Sequence, residues 1–108
     1  NNMSLKLLGK ADLSATTNTS VYTVGSGKEA LVNVNVCNRN ATAVTVRLAN
    51  ADGGTPSNDE YIEYDYSLAG NQSFQRTGIH MQTAQIIVAY GSATNISVVV
   101  DGLERTTT

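Results

Sequence analysis

The sequence predicts an all-β fold: a single-domain antiparallel β-sandwich, immunoglobulin-like or jelly-roll-like, of seven to eight short strands. Three observations lead there. Apolar residues alternate with polar ones at period two through 30–50, the spacing of strands with one buried face. Turn signals recur every ~8–12 residues. No stretch shows a convincing helical period.

Taken in order, Ser4–Leu8 is a short apolar run that suits an edge strand. Residues 11–20 (ADLSATTNTS) are small and polar, and read as a loop or docking arm; the first 20 residues are thus expected as an N-terminal arm or edge strand. Val21–Val24 is a brief strand closed by Gly25-Ser26-Gly27. Next comes the clearest pattern. Val32, Val34 and Val36 share one face, and Leu31, Asn33, Asn35 and Cys37 the other. Val44, Val46 and Leu48 then alternate with Thr45, Arg47 and Ala49. Burying each Val or Leu contributes roughly 1.5–3 kcal/mol, so the valines fix which face turns inward. The two strands either pair as neighbours, Val36 opposite Val44 across an odd loop centred on Asn40, or face each other from opposite sheets as in Greek-key sandwiches.

Residues 51–59 (ADGGTPSND) hold the only proline and a Gly-Gly pair, and read as an exposed loop. Residues 60–68 place Ile62, Tyr64, Tyr66 and Leu68 inward and Tyr61, Glu63, Asp65 and Ser67 outward. A turn at Ala69-Gly70-Asn71 leads to a strand around Phe74, closed by Gly78, and a short link through Met81. Residues 84–90 place Ile86, Val88 and Tyr90 inward, and residues 95–103 place Ile96, Val98 and Val100 inward. Residues 104–108 are expected as a tail, disordered or docked on a neighbour. The expected core is Val32, Val34, Val36, Val44, Val46, Leu48, Ile62, Tyr64, Phe74, Ile86, Val88, Ile96, Val98 and Val100.

Composition narrows the function classes. The formal net charge is −2 over 108 residues, against the basic patch of a nucleic-acid binder. No apolar run approaches the ~20 residues of a membrane span. One cysteine, Cys37, forbids an internal disulfide, so stability rests on the core or on oligomerisation. No signal peptide is visible, and a start at Asn1-Asn2-Met3 suits a processed end. Charged residues make up 15% of the chain, against about 25% in an ordinary soluble protein, which suits a subunit of an assembly or an extracellular β-protein.

Chemistry-bearing motifs are weak. Gly25-Ser-Gly-Lys28 lacks the first Gly of a phosphate loop, has Glu29 where Ser or Thr would hold magnesium, and leads into a strand. His80 is the only histidine, and Cys37 sits in a strand, so a Cys-His pair and a one-chain zinc site both lack parts. Glu63 and Asp65, ~7 Å apart on one strand face, have the residue types of a glycosidase pair, but there is no Trp to form a sugar platform. Residues 52–59 offer oxygen donors without the spacing of a calcium loop. No catalytic residue, cofactor or metal is therefore expected. The five Asn-x-Ser/Thr triplets, at Asn2, Asn18, Asn40, Asn71 and Asn95, follow from a composition rich in Asn, Ser and Thr. The residues expected to touch other proteins are Thr16 and Thr17 in the polar segment, Asn33 and Asn35 on the outer side of their strand, and Tyr61, Glu63 and Asp65 on theirs.

The order Y-T-V (22–24), V-N-V-N-V-C-N-R (32–39), T-V-R-L-A (45–49), Y-I-E-Y-D (61–65) and R-T-G-I (76–79) resembles small β-sandwich virion structural proteins of tailed bacteriophages. The likeness runs from about Leu5 to Glu104, and C-N-R and Y-I-E-Y-D are its more distinctive pieces. It implies a non-enzymatic virion component on the capsid surface or tail. The expected role is a homo-oligomeric decoration or cement protein bound to the major capsid protein. A tail, baseplate or fibre-attachment accessory is the alternative within the virion, and a carbohydrate-binding module the alternative outside it.

Overall fold

The computed structural model describes residues 4–107; the triplet at Asn2 and the end of the expected tail at Thr108 lie outside the described residues. The eight strands are β1 (Ser4–Asp12), β2 (Thr19–Thr23), β3 (Lys28–Asn38), β4 (Val44–Ala51), β5 (Tyr61–Leu68), β6 (Ser73–Met81), β7 (Ile86–Gly91) and β8 (Ile96–Thr106). A 3₁₀ turn, Asn58–Glu60, precedes β5. The strands form two antiparallel four-stranded sheets, ordered β1-β8-β3-β6 and β2-β7-β4-β5. That order is a jelly roll, two Greek keys folded face to face. β3 and β4 therefore lie in opposite sheets and meet across the core.

The core follows the valines. Val32, Val34 and Val36 of β3 sit beside Val98 and Val100 of β8, and Val44, Val46 and Leu48 of β4 close over them, all 5% exposed or less. The register repeats this parity: Val34 pairs Val100 and Val36 pairs Val98.

Two parities and one strand end differ from expectation. In β7 the inward residues are Ile87 and Ala89. Val88 is buried on the outer face with Ala49 and Ala51, and Ile86 packs against them. In β5 Tyr64 points to solvent, because the β4–β5 register shifts between Val46 and Leu48 and Asp65 adopts φ +52°. An extra residue at such a bulge flips every side chain beyond it. Ile62 and Phe74 are partly buried against the core. Gly78 does not close its strand: at φ +70° it sits in a bulge opposite the Val32–Val34 register shift, and β6 runs on to Met81.

The expected arm and tail are both tied down where they are described. In the expected arm, Leu13 is buried and its N–H donates to the Ile96 carbonyl, and Thr16 N–H donates to Gly91. The expected tail continues β8 to Thr106, and Thr107 N–H donates to Gly27.

One buried polar side chain joins the turns at one end of the sandwich. The Asn38 amide shares its N–H groups among the carbonyls of Thr42, Leu68 and Ala69, at 2.9–3.1 Å, and its oxygen accepts from Asn40 N–H and Nδ2. Gly70 makes this approach possible, since a Cβ there would lie 2.1 Å from the Ala41 carbonyl oxygen. Asn38→Ala leaves several enclosed groups unpaired and should cost about 2–4 kcal/mol of stability in urea unfolding, with the slope unchanged.

Candidate functional site

The expected contact residues do not converge. Asn33 and Asn35 lie on the outer face of the β1-β8-β3-β6 sheet. Asn33 Nδ2 donates to Asp101 Oδ1 at 3.3 Å, and its Oδ1 accepts from Gly78 N–H. Tyr61 and Asp65 lie on the outer face of the other sheet. Glu63 turns away from both and takes a 2.6 Å bond from Arg76 at the open β5–β6 edge, where Arg76 also stacks on Tyr66 and Phe74. The expected Glu63–Asp65 pair is thus split by the bulge. Thr16 and Thr17 turn their hydroxyls back onto the Ala15 carbonyl, in the β1–β2 connection.

Other motifs have local roles. Gly25–Lys28 is a turn, Lys28 N–H donating to Gly25 O, and β3 follows directly. His80 is level with Leu31 and Cys37 is six residues further along β3, about 20 Å away. Closing the 51–59 loop, the Glu60 carboxylate accepts from Ser57 N–H and Asp52 N–H, and these bonds, Ser57 first, hold it below the usual carboxylate range. No group of three His, Cys, Asp or Glu among the described residues is placed to hold a metal ion.

Two outer faces carry side chains able to bind a partner. On the β2-β7-β4-β5 sheet the Arg47 guanidinium lies between the Tyr64 and Tyr90 rings, 4.2 and 4.5 Å from their centroids. Asp65 accepts from Arg47 Nε at 2.7 Å, and this bond raises the guanidinium pKa. Tyr61 meets Tyr64 edge-on at 84° and covers Ala49, Ala51 and Val88.

The opposite face bears leucines. Leu5 pairs with Leu103, Leu103 with Leu31, and Leu31 with His80, forming one row across all four strands. Leu5, Leu7 and Leu31 are 79%, 56% and 46% exposed. A row of charge lies to one side, Arg105 on β8 paired with Glu29 on β3, and Glu29 also meets His80 at 3.4 Å. These partners, Arg105 first, lower the Glu29 pKa. The row on the other side is Leu7, Asp101 and Asn33. Leu31 was legible as an apolar residue on the polar side of its strand; the row was not, since it needs the strand order.

Behind this face, at the end of the sandwich, Glu104 joins four strands. It accepts from the Tyr22 hydroxyl at 2.5 Å and pairs with Lys6 at 3.1 Å and Lys28 at 3.9 Å. Burial and the carboxylate push the Tyr22 hydroxyl up, so it stays a donor.

No family model matches the chain, and no curated protein matches it. Among solved structures, one described as Bacillus endospore appendages that form a novel family of disulfide-linked pili superposes with a TM-score of 0.60. It is 14% identical, with 98% of this chain and 89% of that chain covered. A likeness at that identity speaks for the fold alone. No helix among the described residues is long and apolar enough to cross a membrane.

The Tyr22 bond, then the two lysines, hold the Glu104 carboxyl below its ordinary value of 4.5. Its contribution to stability is therefore complete above that pH and lost as pH falls through the lowered folded pKa. Glu104→Gln should flatten the acid side of a thermal-stability profile below about pH 4.5, and Tyr22→Phe should cost about 1.5 kcal/mol near neutrality.

Proposed function

We propose that this chain is a non-enzymatic structural protein of a tailed-phage virion, a decoration or cement subunit bound as an oligomer to the assembled head. The observation that carries the reading is the row of exposed leucines on a rigid sheet. Covering each would contribute up to roughly 3 kcal/mol, and the described residues leave Leu5, Leu7 and Leu31 open to solvent. The resemblance of the C-N-R and Y-I-E-Y-D segments to virion proteins supplies the setting. A low density of charge fits a surface that is repeatedly desolvated. The mechanism is mass action: a subunit that binds the completed lattice and not its free components lowers the free energy of the lattice. Repeated contacts then add avidity.

A tail, baseplate or fibre-attachment accessory is the second reading, and the same exposed row supports it. Copy number separates the two. A sugar-binding module is less well served, because Tyr61 and Tyr64 meet edge-on and Arg47 occupies one face of Tyr64, leaving no flat platform.

Quantitative mass spectrometry of purified particles should find the chain in hundreds of copies, and particles lacking it should lose their genome at lower temperature. A few dozen copies would move it to the tail. Absence from particles would remove the virion reading.

A further inference from the structure

We infer that the leucine row is a homodimer interface, with a second copy of this chain laid face to face on the β1-β8-β3-β6 sheet about a two-fold axis that runs along the row. This builds on the reading of the chain as an oligomeric assembly subunit and names the surface and the symmetry.

The argument starts from register. On the outer side of β8, Arg105, Leu103 and Asp101 follow one another at two-residue steps, about 7 Å each. On β3 beside them stand Glu29, Leu31 and Asn33. The leucines therefore lie between a row bearing Arg105 and Glu29 and a row bearing Asp101 and Asn33. Hollows of about 230 and 410 Å³ lie to either side of the row, the first bordered by Leu31, Leu103, His80 and Arg105, the second by Leu5, Leu7 and Asp101. A facing sheet at the ~10 Å spacing of stacked sheets would cover both the row and these hollows.

Charge selects the occupant and the axis. Arg105 is 60% exposed, and its guanidinium has N–H groups left after meeting Glu29. Asp101 has no cationic partner among the described residues, only the Asn33 amide. An axis along the leucine row brings each Arg105 over the other copy's Asp101 and each Glu29 over the other copy's Asn33, twice by symmetry. It stacks Leu5, Leu103 and Leu31 on their own counterparts. An axis along β8 instead sets Arg105 over Arg105 and Asp101 over Asp101, which like-charge repulsion disfavours. The face is thus complementary to itself in one antiparallel orientation.

Sedimentation velocity of the full chain over a concentration series tests this. The wild type should dimerise. Leu31→Lys and Leu5→Lys, both at exposed positions, should abolish the dimer while circular dichroism and melting stay near wild type. Asp101→Arg and Arg105→Asp should each weaken it at least about tenfold, and the double exchange should restore most of the loss. A wild type monomeric throughout overturns the inference, even if Leu31→Lys also releases the chain from particles, because the face then serves another virion protein. A dimer indifferent to Leu5→Lys and Leu31→Lys, or a double exchange no better than its parents, overturns it as well. A dimer with these sensitivities, found in a chain absent from particles, supports the interface and removes the virion reading alone.

Discussion

The valine ladder of β3 is the constraint on which the rest depends. Val32, Val34 and Val36 are fully buried, sit beside Val98 and Val100 on one layer, and are closed by Val44, Val46 and Leu48 on the other. Side chains in a strand alternate strictly, so fixing these inward fixes Leu31 outward. The ladder to β8 and β1 then fixes Leu103 and Leu5 outward in the same row. A one-residue slip that hid the leucines would expose the whole valine set, at a far greater cost. The sandwich cannot bury its leucines by a shift of register.

Polar groups settle the ends of the sandwich instead of its middle. Asn38 ties the turns at one end through backbone carbonyls. At the other, Glu104 gathers Tyr22, Lys6 and Lys28 from three further strands. Both are satisfied within the chain, which lets them lie among apolar neighbours. Arg76 does similar work at the β5–β6 edge, where its bond to Glu63 and its stack on Tyr66 and Phe74 bridge strands of the two sheets.

How far the sequence could be read depended on how clean the alternation was. β3, the start of β4 and β8 carry one apolar residue every second position, and their buried faces match the pattern. β7 reads Gln-Ile-Ile-Val-Ala-Tyr from Gln85, an unbroken apolar run with no phase, and its outer face is itself roofed by Tyr61. β5 fails at Asp65, because a positive φ at a non-glycine residue leaves no local signal. The same bulge separated Glu63 from Asp65 and sent them to different partners. The polar segment 11–20 read as an arm because Leu13 stands alone in it, and one buried leucine is enough to anchor a connection. Contact surfaces were the least legible, since a lateral row exists only once strand order is known.

The two outer faces differ in whether their chemistry is already complete. On one, the Arg47 charge is balanced by Asp65 and enclosed by two tyrosine rings, and Tyr61 shields the small apolar patch beneath. A partner docking there would first have to displace or desolvate interactions that the chain makes with itself. On the other, the leucines are bare, Asp101 lacks a cation among the described residues, and Arg105 retains unused N–H groups. Binding there removes apolar area from water and supplies what each charge lacks. The unfinished face is therefore where association gains most. The aromatic–arginine stack, although it has the residue types of a hot spot, is already paired within its own sheet.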